Sequence, residues 1–491
     1  MNPLKKLASQ TAIYGLPTIV GRLLGNLITP LYTYTFTAEE FGVNASAYAY
    51  VSFLLVLLTY GMETAFFRFS QTEIDKQRVY TTSLISLAIS SSVFIFILCL
   101  FSNSIAESVK FTGHSEYVIW FAFILGADAI SSVPFARLRQ QGKAKRFATI
   151  KAINIFIYVG LNLFFILFCK TIYESSDSSF KPLIDTFYDP EIGIGYIFIS
   201  NLIASLITLL LLLPEMLGIQ LVFDPVLWKK MLRYALPLLI AGLAGMANET
   251  LDRILLTHML PEQEALTQTG IYSACYKVSI IMTLFIQTFR FAAEPFFFSQ
   301  AKENDSRKTM ADVMKYFVIV CSFIFLAAMM NMEWIQYFAG SAEFRTGIKV
   351  VPILLLANLF LGVFINQSIW YKLSGQTHYG AFLTFFGAFI TIFLNVLWIP
   401  RYGYMGSAWA TLICYASMMV ASYFLGNKHY PVNYDLKRIL GYLGLSLTLY
   451  FISILIRTES AAANLIVNNL ILIGFVLTLW KLEKNNFRKL A

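Results

Sequence analysis

Polar positions in this chain fall in short clusters between long apolar runs. Fourteen such runs are legible, at 10–35, 44–67, 79–101, 117–137, 147–169, 192–214, 233–258, 270–298, 314–335, 348–371, 379–400, 404–425, 436–456 and 461–481. They reach or exceed the ~18–20 residues that cross a hydrocarbon layer as a helix. Hydrocarbon offers no water to backbone N–H and C=O groups, so each run, numbered below as spans 1 to 14, is predicted to be a helix. Prolines at 17, 30, 134, 237, 295 and 352 sit within or near span ends and predict kinks that leave the spans intact.

Composition closes off the soluble alternative. Charged residues make up 13% of the 491 positions, against ~25% in soluble globular proteins, and mean hydropathy is +0.65. A water-facing surface needs more charge than that. The charges also carry direction. With both termini cytoplasmic, twenty-five of the 37 Lys and Arg fall on the inner side and seven in outer loops, while acids lean outward. The net charge of +9 therefore marks topology, and no nucleic-acid partner is needed to explain it. Lys5 and Lys6 precede an apolar run too long for a cleaved signal, so the first span is expected to stay as a helix. Cys99, Cys169, Cys275, Cys321 and Cys414 lie in or beside apolar runs without C-x-x-C pairing and read as small core hydrophobes. His114, His258, His378 and His429 are scattered singly near segment ends and read as interface polar residues; no metal is expected.

The spans divide into an N-lobe at 1–214 (spans 1–6), a cytoplasmic amphipathic linker at 215–232, a C-lobe at 233–425 (spans 7–12), and a segment at 426–491 holding spans 13 and 14 with a cytoplasmic tail. The linker carries Trp228, Lys229 and Lys230 among apolar neighbours, as a helix lying on a membrane surface would. The lobes repeat weakly. Tyr14-Gly15-Leu16-Pro17 opens span 1 and Tyr234-Ala235-Leu236-Pro237 opens span 7; Asn162 and Asn395 are separated by the same distance in sequence as Gly142 and Gly375. A duplicated six-helix unit is a transporter pattern, with the site at the repeat interface.

Ten ionisable residues fall inside spans at least four residues from either end: Arg22, Glu63, Asp128, Lys151, Glu249, Asp252, Arg253, Lys277, Arg290 and Glu294. Each costs roughly 2.5–3.5 kcal/mol at a helix centre, so they are expected to face a polar cavity. Eight of the ten lie on spans 1, 2, 7 and 8, the equivalent helices of the two lobes, which are therefore expected to line one chamber. Glu249 with Arg253 and Arg290 with Glu294 are spaced i,i+4, as intrahelical pairs would be. Lys151 is placed to snorkel to the interface. Asp128 suits either an interhelical pair or a proton site. Arginine's planar fork suits phosphate, so Arg22, Arg253, Lys277 and Arg290 are candidates for a diphosphate head group. Glu63, Asp128, Glu249, Asp252 and Glu294 are candidates for counter-charge or for coupling to H+ or Na+.

No phosphate-binding G-x-x-x-x-G-K-[ST] loop occurs. Thr37-Ala38-Glu39-Glu40 allows an acidic pair of a membrane transferase, and more simply a capping box opening span 2. Neither feature argues for chemical catalysis, and no cofactor is expected.

Several stretches carry a family likeness: Leu4-Lys5-Lys6 through Tyr14-Gly15 to Arg22, Tyr60-Gly61-Met62-Glu63-Thr64-Ala65-Phe66-Phe67-Arg68-Phe69, Asp252-Arg253 followed by Gly270-Ile271-Tyr272-Ser273-Ala274-Cys275-Tyr276-Lys277, and Asn395 through Ile399-Pro400-Arg401-Tyr402-Gly403-Tyr404-Met405-Gly406-Ser407-Ala408. The chain resembles the multidrug/oligosaccharidyl-lipid/polysaccharide exporter superfamily and, within it, the Wzx-type flippases of polysaccharide biosynthesis. That resemblance implies an all-α, V-shaped fold of two six-helix lobes plus two helices, rocking between inward-open and outward-open states. It implies a bacterial inner-membrane flippase whose cationic chamber takes the head of an undecaprenyl-diphosphate-linked repeat unit, as in lipopolysaccharide or O-antigen synthesis. Carried over by position, Arg22, Lys277 and Arg290 are chamber candidates, and Arg68 would meet the head group first. Spans 13 and 14, free of intramembrane charge, suit a groove for the lipid tail. Implied partners are the lipid-linked oligosaccharide, membrane lipids and a polysaccharide polymerase, around a monomer. A multidrug/cation antiporter using Glu249 and Asp252, and a lipid II flippase, are the alternatives.

Overall fold

A computed structural model describes residues 19–175, 178–217, 220, 222–300 and 306–490. Among these residues the chain is helical without strands, and thirteen helices are long and apolar enough to cross a membrane. They coincide with spans 2 to 14. Span 1 is helical from residue 19 onward; the Tyr14–Pro17 end of the repeat and the N-terminal lysines lie outside the described residues.

The surface has the reverse polarity of a soluble protein. In Lys76–Leu100 (span 3), Ser83, Ser86 and Ser91 are buried while Ile89, Val93, Phe96 and Leu100 are exposed. On the buried face, Ser83 Oγ donates back along the helix to the Val79 carbonyl at 2.8 Å, while Ser86 Oγ accepts from the Trp228 indole N–H at 2.8 Å. The exposed face is what a lipid solvent wets.

Interruptions in the helices have local causes. Span 2 starts as Ala38–Thr59, with the expected capping box: Thr37 accepts from the Glu40 N–H and Glu40 accepts from the Thr37 N–H. It breaks at Tyr60 and Gly61, whose φ angles are 33° and 71°, and restarts as Met62–Thr72. Gly61 is needed on two counts, because a Cβ there would also lie 3.1 Å from the Ala235 carbonyl oxygen. Span 5 runs as Ala144–Asn162 and then widens into a π-helical stretch, Leu163–Cys169. Span 8 is split at Ser279 into Glu262–Val278 and Ile280–Gln300, and the side-chain amide of Asn358 donates to Ser279 Oγ at 3.2 Å.

Span 7 is one helix, Pro225–Met259, capped by Asp224 and continuous through Pro237. The second half of the segment expected to form a separate surface linker, 225–232, is thus the opening of this helix. At ~1.5 Å per residue it exceeds the ~30 Å hydrocarbon layer by several turns. Gly142 and Gly375, the repeat-related loop glycines, have matching φ values of 70° and 71° between successive helices.

Contacts group the chain into two compact units. The first holds Met1–Ser273 with Asn395–Tyr404; the second holds Ala274–Leu394 with Met405–Ala491.

Candidate functional site

Within the first unit the charged residues form three clusters, the first two of which interact through Lys151. At the restart of span 2, the Glu63 carboxylate is paired with Arg139, which ends the helix Ser115–Gln140. Glu63 therefore turns toward span 4 for its counter-charge, and Arg139, counted from sequence only as an inner-loop cation, is a residue that sequence reasoning missed. Arg68, exposed two turns along the same short helix, lies 4.3 Å from the centroid of the Tyr234 ring.

A second cluster runs through the packed interior. Asp128 on span 4 interacts with Ser205 on span 6 and with Lys151 on span 5. Lys151 Nζ sits 4.3 Å from the Phe135 ring centroid. Tyr48 neighbours Asp128 and hydrogen-bonds Tyr158, and its hydroxyl accepts from the Asn201 amide at 3.0 Å. Tyr158 lies 3.2 Å from the Tyr32 hydroxyl, which donates to Asn162 Oδ1 at 2.9 Å. The string thus links helices of spans 1, 2, 4, 5 and 6, and ends where span 5 widens. An acid, an amine and three phenols adjoin one another in the interior of the first unit. The tyrosines left no mark in the apolar pattern, since tyrosine reads there as hydrophobic.

The third cluster corrects a sequence expectation. Arg253 Nη1 pairs with the adjacent Asp252 at 2.9 Å and donates to the Glu249 backbone carbonyl. Asp252, not the Glu249 carboxylate, is its partner here, and the Glu249 side chain is exposed. The buried Tyr272 hydroxyl donates to the other Asp252 oxygen at 2.7 Å, and Thr257 meets Thr269 at 3.3 Å beneath it. Arg22 is exposed on the span 1 helix, with its carbonyl accepting from the Asn26 amide at 2.6 Å.

In the second unit, the expected i,i+4 pair forms: Arg290 Nε lies 3.0 Å from Glu294 Oε1. A second cation joins it, since Lys372 Nζ lies 2.6 Å from the same oxygen. Among the described residues, two cations on one carboxylate leave this corner with an excess positive charge. Lys277 is half-buried in the last turn before the Ser279 break. Among the described residues no group of three or more His, Cys, Asp or Glu is close enough to hold a metal ion.

A family profile described as polysaccharide biosynthesis protein matches residues 7–300, more than half of the chain. The chain belongs to that family. A search of the curated proteins returns no match. Among solved structures it is similar to the lipid II flippase MurJ in an inward closed conformation, with a TM-score of 0.76, 14% identity, and coverage of 96% of this chain and 99% of that one. It is also similar to a multidrug resistance MATE family transporter of the MOP superfamily, inward-facing, at TM-score 0.63 and 14% identity, covering 88% and 95%. The Vibrio cholerae MATE transporter VcmN in the bent form matches at TM-score 0.55 and 11% identity, covering 92% and 100%. At such identities the likeness establishes the fold, which is that of MOP-superfamily transporters. Family and fold together make this a multi-pass membrane protein of polysaccharide biosynthesis.

Proposed function

We propose that this family member is an inner-membrane flippase, with both termini cytoplasmic, that moves an undecaprenyl-diphosphate-linked oligosaccharide from the cytoplasmic to the outer leaflet by alternating access. The observation that carries the reading is the corner at Glu294. Arg290 and Lys372 share one carboxylate, so a net positive charge persists inside a charge-poor chain and calls for an anionic ligand. A diphosphate answers that need, and arginine holds it through paired hydrogen bonds. In the proposed topology this corner lies toward the cytoplasm, where the loaded lipid starts. Arg22, Arg68, Arg253 and Lys277 are further proposed contacts for the anionic head group, with Glu249, Asp252 and Glu294 keeping the empty protein tolerable in lipid. Asp128, with Lys151 beside it and Glu63 in turn interacting with Lys151, is the proposed site of coupling to H+ or Na+. Selection among pre-existing inward and outward states needs no bond-making step and hence no cofactor, and a monomer suffices because one chain contains both lobes. A polysaccharide polymerase would take the product.

A lipid II flippase is a second reading, favoured by the TM-score to MurJ. It shares the diphosphate chemistry and differs in essentiality.

The test uses a strain lacking this gene, restored with wild type, Arg22→Ala or Arg290→Ala at equal expression. Lipid-linked repeat units are quantified on each face of the inner membrane together with surface polysaccharide. Units stranded on the cytoplasmic face and cleared only by wild type are expected. Normal polysaccharide with altered drug tolerance would move the protein to the antiporter branch.

A further inference from the structure

Four helix ends of the second unit enclose a cavity of about 210 Å³, assigned no role above. They are the end of Ser306–Met330, the start of span 10, the end of Leu436–Leu455 and the first turns of span 14. Its polar wall includes Glu333, Lys349, Arg457 and Asn464. Glu333 accepts from Arg457 Nη2 at 3.0 Å and from the Asn464 amide at 3.3 Å. That single bond orients a guanidinium that stays 65% exposed and has further donors to offer. Lys349 is exposed, and no partner for its amine is recorded among the described residues. The wall therefore carries two cations against one acid.

The placement of these cations is unusual for the chain. The topology proposed above, on which this inference rests, leaves only seven Lys and Arg on the outer side, and Arg345, Lys349 and Arg457 are three of them. A protein that clears cations from its outer loops keeps three on the loops around one cavity. Apart from Gln336, Ser453 and Asn468 the remaining lining is apolar, and two lining residues, Ile454 and Ile456, are 49% and 47% exposed. Their neighbour Leu455 is 84% exposed, so the cavity borders lipid-facing surface. The space is far larger than the ~30 Å³ share of one water. Anionic head and apolar tail are thus both provided for.

We propose that this cavity binds the phosphate of an outer-leaflet lipid, set between Lys349 and Arg457, with its acyl chains against Ile454 and Ile456. Charge-assisted bonds to phosphate supply the selectivity, and the apolar rim distinguishes a lipid from a free anion.

The full-length protein, purified in uncharged detergent, is titrated with phosphatidylglycerol, phosphatidylcholine or inorganic phosphate, and bound states are read by native mass spectrometry. Phosphatidylglycerol is expected to bind ahead of phosphatidylcholine and to weaken about tenfold or more in Lys349→Gln. Among the described residues the Lys349 amine has no partner, so this variant is expected to leave the fold intact. Lys437→Gln, at the opposite end of the helix Leu436–Leu455, is expected to leave that site unchanged. Equal binding by wild type and Lys349→Gln, or of the two lipids, would overturn the site. Binding of inorganic phosphate as strong as that of phosphatidylglycerol would overturn the lipid assignment. The outer-leaflet placement is checked with Lys349→Cys, which a membrane-impermeant maleimide should label in intact spheroplasts; labelling only after lysis would overturn it. Lipid binding is read on purified protein, so its failure is distinguishable from failure of wild type to clear repeat units.

Discussion

Gly42 and Gly270 bring two helices of the first unit into backbone contact. A Cβ at Gly42 would stand 1.9 Å from the Leu266 carbonyl oxygen, and one at Gly270 would stand 1.9 Å from the Ala38 carbonyl oxygen. Each glycine thus admits the backbone of the other's helix, the close approach that small residues permit between membrane helices. Gly42→Ala and Gly270→Ala are expected to force the helices apart, at a cost of about 1–3 kcal/mol for overpacking. The melting temperature of the detergent-solubilised protein should fall in both variants. An unchanged value would show that the two helices are not in contact in the dominant state.

Asp252 and Tyr272 offer a second test. Asp252 is 4% exposed and Tyr272 fully buried, so Tyr272→Phe removes a bond from a carboxylate that water does not reach. A loss of roughly 1.5–3 kcal/mol is expected, as for hydrogen bonds to charged groups. Asp252→Asn with Tyr272→Phe should lose less than the two single changes added together. Strict additivity in denaturation midpoints would dissociate the two groups.

The Glu294 corner makes an ordered prediction about transport. Lys372→Ala and Arg290→Ala should each lower surface polysaccharide, while Lys372→Arg should retain most of it, because charge at that carboxylate is what the reading requires. Equal export by all three variants at matched expression would remove the corner from the path.

Glu483 should be among the least replaceable acids in the second unit. It is 1% exposed, accepts from Lys315 at 3.0 Å on one oxygen, and from Arg438 and Tyr442 on the other. Glu483→Ala leaves Lys315, itself 5% exposed, with Asp312 at 3.9 Å as its one acidic partner among the described residues. A loss of about 3–5 kcal/mol is expected for breaking a buried pair. The monodisperse fraction on size exclusion should collapse. Replacing both, as Lys315→Met with Glu483→Leu, should recover much of it, and no recovery would show that the pair does more than neutralise itself.

Asp224 gives a pH dependence. Hydrogen bonds from the Leu227 and Val226 N–H groups, led by Leu227, together with the Arg78 charge, hold its carboxyl below the usual carboxylate value, against a smaller opposing effect of desolvation. A depressed folded value means that the cap contributes fully above the unfolded value of ~3.9 and is lost as pH falls through the folded one. Amide protection at Val226 and Leu227 should drop in acid in wild type and change less in Asp224→Asn. Identical acid profiles would exclude Asp224 as the titrating cap.

What the sequence determined by itself was whatever a segment must settle locally. The spans were legible because hydrocarbon obliges each run to satisfy its own backbone. The Thr37–Glu40 box and the Arg290–Glu294 pair were legible because their partners lie within one turn. Gly142 and Gly375 were legible as related positions, and their matching backbone angles follow from the same helix-to-helix turn. Tertiary structure alone decided which helix answers each buried charge. Glu63 takes Arg139, Glu294 adds Lys372, and Glu483 gathers Lys315, Arg438 and Tyr442. These partners are far apart in sequence, and several sit at span ends, where a cation reads simply as a topology signal. Even the neighbouring Asp252 and Arg253 were misassigned, because the choice between Asp252 and Glu249 depends on Tyr272 arriving from the next helix. The apolar pattern says that a helix crosses the membrane, but not the direction in which its polar groups face, since that is set by the helices packed against it.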